Sequence, residues 1–129
     1  MKKSVLKMSL CEGRHPIPQA IDGAVFPGEI QDMRNTKELE DTAWASIWHA
    51  AYSHHVQGEQ GFLALDPFWD GEDGAPYALD HRSLHLDLYV TGLTVALIAC
   101  LNAMRQQQIS VTLYHFDRET GEYYPQEVI

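Results

Sequence analysis

Arg14 and His15 close the motif Cys11-Glu12-Gly13-Arg14-His15 directly after one apolar alternating run, and Thr91-Gly92-Leu93-Thr94 directly follows a second. A guanidinium can grip an anion through two parallel hydrogen bonds, and an imidazole can donate to it or move a proton near neutral pH. Threonine hydroxyls and the free backbone N–H groups where a turn enters a helix add donors, and the positive end of the helix dipole favours negative charge there. Together these residues suit a small phosphate or carboxylate. His15 and Arg14 are the candidate catalytic groups, and Thr91, Gly92, Leu93 and Thr94 the candidate ligand contacts. A salt-bridged Arg14 and a helix-capping threonine would explain the same residues without a ligand, and both readings stay open at this point.

The site exists only if two strands are neighbours. Residues 84–112 run from an alternating apolar stretch through the Thr-Gly-Leu-Thr turn into a helical pattern and then a β-branched run, which is the layout of a strand–turn–helix–strand unit. Leu6, Met8 and Leu10 alternate with Lys7 and Ser9 and predict a first strand over residues 4–10. If that strand and the one at 84–90 lie parallel and adjacent, their carboxyl ends bring residues 11–15 and 91–94 to one sheet edge, where open α/β folds bind ligands. The expected fold is α/β: a single three-layer domain over residues 1–129, with a partly parallel sheet, residues 84–90 central, and a C-terminal antiparallel β-hairpin. The helix after Thr94 is expected to bury Leu97, Ile98, Leu101 and Met104, on more than one side because it carries no Lys or Asp before Ala103. Asp117 to Gly121 supply turn chemistry, so residues 123–129 should return as an edge strand that tolerates Pro125.

Composition narrows the ligand. The chain has 129 residues, 45% hydrophobic and 21% charged, enough for one packed core. A formal charge of −9 disfavours a grip on long DNA or RNA and leaves a small anion held at a local positive point. Cys11 and Cys100 read as reduced thiols of a cytoplasmic protein. Lys7 interrupts the first apolar run, which argues against a signal peptide, and no run reaches the length of a membrane span.

Asn35 followed by Glu38 predicts a capped helix over residues 38–56 with Leu39, Ala43 and Ile47 inward, ended by Gly58. His49, His54 and His55 fall late on it, where polar or positive groups suit the negative end of the dipole. Residues 58–82 form an acidic, glycine- and proline-rich excursion in which 62–65 can add a short strand and Phe68, Trp69 and Tyr77 pin the loop to the body or to a partner. His81, His85 and Asp87 spell a sparse metal pattern, but His85 and Asp87 on one strand face read more simply as a half-exposed polar edge. No metal and no cofactor is expected. The sequence holds no P-loop, no nucleophile elbow and only one of the three glycines of a dinucleotide fingerprint at 91–94.

Residues 5–20, VLKMSLCEGRHPIPQA, then a helix, then residues 88–118, LYVTGLTVALIACLNAMRQQQISVTLYHFDR, resemble in layout the small CRISPR-associated Rossmann-like proteins. That group includes binders of cyclic oligonucleotide messengers and ring nucleases that cut them. The resemblance implies a Rossmann-like fold, a homodimer with the ligand across its two-fold axis, a role in antiviral defence, and metal-independent cleavage as a further activity. Arg14, His15, Thr91, Gly92 and Thr94 are the positions to which such roles carry over. The competing expectation is a non-enzymatic acidic protein that inhibits or regulates a protein partner through loop 58–83.

Overall fold

The computed structural model describes residues 3–12, 17, 20–72 and 74–129. In chain order its elements are β1 (Ser4–Cys11), β2 (Gly23–Phe26), α1 (Thr36–Val56), β3 (Leu63–Leu65), β4 (Tyr77–Leu79), β5 (Leu84–Tyr89), α2 (Thr94–Gln107), β6 (Ser110–Asp117) and β7 (Glu122–Glu127). The main sheet runs β2-β1-β5-β6-β7, with β7 alone antiparallel to its neighbour. This is the expected partly parallel Rossmann-like layout with a C-terminal hairpin, β5 at its centre and β7 at its edge. Gly121, at φ +73°, closes the hairpin by donating to the Asp117 carbonyl at 2.8 Å, and Pro125 lies on the edge strand, where a missing N–H costs least.

Period-two alternation sorts the sheet into two unlike faces. Leu6, Met8 and Leu10 on β1, Leu84, Leu86 and Leu88 on β5, and Val111 and Leu113 on β6 form one buried apolar face beneath Leu39, Ala43 and Ile47 of α1 and Ala96, Cys100 and Met104 of α2. The helices pack directly on each other, so they share that face. Both helices among the described residues therefore lie on one side of the main sheet. The strand order explains why: the crossovers from β2 to β5 and from β5 to β6 step the same way across the sheet, and connections of one hand then put both helices on one side. The other face carries Lys7, Ser9, His85, Asp87, Ser110 and Thr112 with the rings of Tyr89 and Tyr114, and no helix among the described residues covers it.

Helix α1 starts as predicted. Asn35 Oδ1 accepts the Glu38 N–H at 3.1 Å while Asn35 Nδ2 donates to Glu38 Oε2 at 3.1 Å, which satisfies an orphan donor of the first turn. Gly58, at φ +86°, follows its C-cap and donates to the His55 carbonyl. Helix α2 meets expectation at Met104, which is buried, and at Leu97 and Leu101, which pack half-buried against the core, but not at Ile98. It buries Ala96, Ala99 and Ala103 with Cys100 and Met104, whereas Val95 and Ile98 face outward at 42% and 53% exposure. The alanines let the helix approach α1 and the sheet closely, and Val95 and Ile98 are turned aside. Part of the acidic excursion also folds further than expected, because β3 and β4 pair antiparallel as a small second sheet against α1.

His54 joins the far end of α1 to the sheet. Its Nε2 lies 2.7 Å from Asp22 Oδ1, its Nδ1 contacts Glu59, its ring stacks on Phe62 at 4.3 Å, and Asp22 Oδ2 also accepts the Lys7 N–H. Burial by itself lowers the imidazole pKa, but the hydrogen bonds and charges of Asp22 and Glu59 outweigh it and hold it above the ordinary 6.5. A raised folded-state pKa means that the clamp contributes fully below pH 6.5 and is lost as pH climbs through the raised value. Denaturant unfolding should therefore show stability falling over that interval in the wild type, and His54→Gln should flatten the fall.

Candidate functional site

The turn between β5 and α2 is held by a hydroxyl. Thr91 Oγ1 donates to the Cys11 carbonyl at 2.6 Å and accepts the Cys11 N–H at 3.2 Å, with the residue only 3% exposed. This clip ties the carboxyl end of β5 to that of β1, so the two loop origins do meet at one sheet edge. It also occupies the Thr91 hydroxyl with the backbone, which leaves ligand contact to neighbouring groups. Gly92 follows at φ +110°, and a Cβ there would lie 2.6 Å from Cys11 Sγ and 2.9 Å from Cys11 Cβ. Both the dihedral and the space demand glycine.

Leu93 is the N-cap of α2 and has no side-chain oxygen to give. The first helical bond is Leu97 N–H to the Leu93 carbonyl at 3.1 Å, so the N–H groups of Thr94, Val95 and Ala96 lie outside the helical ladder. They carry the positive end of the dipole. Thr94 is exposed.

Above this turn lies a cavity of about 410 Å³ lined by Val90, Thr91, Gly92 and Leu93 on one side and by His115, Phe116, Arg118 and Tyr124 of the β6–β7 hairpin on the other. Among the described residues no carboxylate pairs with Arg118. His115 Nε2 lies 2.8 Å from Gln126 Oε1. Its ring also leans on Tyr124 at 5.3 Å. Chemically the cavity offers a guanidinium, an imidazole and an uncapped helix start to one anion. Leu93 also lines a second cavity of about 430 Å³ with Cys11, Glu12, Phe26 and Met33.

Thr91, Gly92 and Leu93 therefore meet at one cavity and Thr94 opens the helix beside it, whereas Arg14 and His15 lie outside the described residues. His115, Arg118 and Tyr124 escaped the reading of the sequence. The signal for them was present: a strand parallel to β5 and reached through α2 must end at the same sheet edge, so the residues closing β6 were candidates by topology alone.

Among the other described histidines, His85 and His54 hold structure. His85 Nδ1 lies 2.6 Å from Ser110 Oγ, and its Nε2 lies 2.9 Å from Thr112 Oγ1 and 3.3 Å from Asp87 Oδ1. Burial pushes the Asp87 carboxyl up, with His85 and Lys7 opposing. His81 sits in the turn before β5 and His54 is taken by Asp22 and Glu59. Among the described residues no three His, Cys, Asp or Glu side chains group to hold a metal ion. No helix among them is long and apolar enough to cross a membrane.

Thr91→Val keeps the shape of the clip but strands two backbone groups of Cys11, and chemical unfolding should show a loss of about 1–3 kcal/mol. Gly92→Ala meets both a forbidden dihedral and the Cys11 side chain, so its loss should exceed about 1 kcal/mol. Comparison with protein-family models, curated proteins and solved structures found no significant match, so the geometry of this edge carries the functional argument.

Proposed function

We propose that the protein binds a small phosphate-bearing ligand in the cavity between the start of α2 and the β6–β7 hairpin. The observation that carries this reading is that Arg118, which no carboxylate pairs among the described residues, lines one cavity with the Thr91–Leu93 turn, whose Leu93 is the N-cap of α2 and makes no side-chain cap bond. In a chain of net charge −9, such a positive point is what lets one small anion bind while long nucleic acid is repelled. Phosphate oxygens match both the guanidinium fork and the helix N–H groups.

The layout-level resemblance of residues 5–20 and 88–118 narrows the ligand to a cyclic oligonucleotide messenger of a prokaryotic defence system. A cavity of about 410 Å³ suits a small-molecule fragment. A ring of several nucleotides would extend beyond it and be shared by the same edge of a second copy, in keeping with a homodimer. If the ring is also cut, the ribose 2′-oxygen bonds to the adjacent phosphorus, the phosphorus–5′-oxygen bond breaks, and the 2′ proton is taken up as the 5′-oxygen gains one. His15 is the candidate for that proton transfer, and Arg14 and Arg118 for offsetting charge on the phosphoryl oxygens.

Titration calorimetry with a panel of cyclic and linear nucleotides tests the reading. Arg118→Ala should remove a charge-assisted contact of about 1.5–3 kcal/mol and weaken binding roughly ten- to a hundredfold. Arg14→Ala should weaken it similarly, and Thr94→Val less, since the backbone donors remain. His15→Gln should keep binding and lose turnover if the imidazole acts as acid or base. Identical heats from the wild type and Arg118→Ala would place the ligand elsewhere.

A further inference from the structure

The opposite end of α2 meets a cavity of different character. About 520 Å³ of space lies between α1, the β3–β4 hairpin and Gln107, the last residue of α2, walled by Trp44, Trp48, Trp69 and Tyr77 with Asp66 and His49 beside them. Trp44 and Trp48 are one helical turn apart on α1 and stack at 6.4 Å. Trp48 is locked, because its Nε1 donates to the Tyr77 carbonyl at 3.2 Å and its other face stacks on Tyr52 at 5.2 Å. Trp44 and Trp69 remain 38% and 39% exposed, so two indoles keep much of their surface in water around a rigid third.

Charge selects what could fill this space. Among the described residues no Lys or Arg lines it, and Asp66 is the one carboxylate that does. Asp66 Oδ1 accepts the Phe68 N–H at 2.9 Å, and among the described residues no cation pairs with the group. Asp70 and Glu72 follow on the same loop. The C-terminal end of α2 adds the negative end of its dipole, about 20 Å from the positive end proposed to hold phosphate. Indole faces attract cations, and a planar guanidinium stacks on them while forking onto a carboxylate, which an ammonium cannot do.

We infer that this cavity binds an arginine side chain of a basic peptide segment on a protein partner. The cavity is roomier than one guanidinium needs, and Phe68 and Leu65, at 92% and 75% exposure, extend an apolar surface from the same hairpin. The occupant is therefore a chain that brings flanking apolar residues with its arginine, rather than a free small cation. The site is independent of the proposed anion site, from which it is separated by the length of α2.

Intrinsic tryptophan fluorescence of the full chain reads the site directly. The probe is an acetylated, amidated octapeptide with one central arginine flanked by leucine and glycine, compared with the same peptide carrying uncharged citrulline. A saturable fluorescence change with the arginine peptide is expected, with the citrulline peptide at least about tenfold weaker. Asp66→Asn keeps the oxygen that caps Phe68 and removes the charge, so it should weaken the arginine peptide by a similar factor. Trp69→Ala, on an exposed loop, should do the same while leaving far-ultraviolet circular dichroism unchanged. Equal titrations by the two peptides, undiminished binding in both variants, or no saturable change with the arginine peptide would each overturn the inference.

Discussion

The pairing of β1 with β5, finished by the Thr91 hydroxyl on the Cys11 backbone, is the constraint on which the rest of the molecule depends. Residues 80 positions apart share this clip, and each of its hydrogen bonds satisfies a backbone group that would otherwise be buried unpaired. It fixes where β5 stops. Gly92 must then turn against the Cys11 side chain, and α2 starts two residues later with no side-chain cap bond from its N-cap, Leu93. The open helix start is thus a consequence of how the central strands are joined. From there α2 runs back across the apolar face and delivers β6 parallel to β5, so that Arg118 and His115 arrive above the same turn.

Polarity along α2 organises the rest of the surface chemistry. The start of the helix faces a guanidinium and an imidazole, and its end faces indoles and a carboxylate. In a protein of net charge −9 these are unlike environments: a local positive point within an acidic field, and an aromatic recess that adds to that field. Each helix end thus adds to the charge of the side chains beside it, and each place favours the charge opposite to its own. The His54 clamp and the His85 ladder lie outside both places and tie elements together.

Much of the fold was legible because periodicity reports one-sided burial. Leu6, Met8 and Leu10, or Leu84, Leu86 and Leu88, can only be strand positions facing a core, and Asn35 with Glu38 marks a helix start by the bonds it makes. The orientation of α2 was not legible, since its stretch is apolar all round and the choice between Ile98 and Ala99 is made by close packing against α1. Strand β3 falls within the short strand expected over residues 62–65, whereas β4, three residues long, is too short for alternation to register. The shared side of the two helices follows from strand order, which pairs residues distant in sequence. At the candidate site, the turn at Thr91, Gly92, Leu93 and Thr94 could be read from its residue types. Arg118 and His115 are not marked by residue type, and only the strand topology, which brings the end of β6 to the same edge, nominates them. Arg14 and His15 remain an expectation from the sequence.

Amide chemical shifts of the isotopically labelled protein, followed during titration with a cyclic oligonucleotide, test the central claim most directly. A phosphate seated at the start of α2 predicts saturable shifts concentrated at Gly92, Thr94, Val95 and Ala96, together with the side-chain N–H signals of Arg118. Saturable shifts confined to other parts of the chain, or none at these positions as the ligand binds, would contradict it.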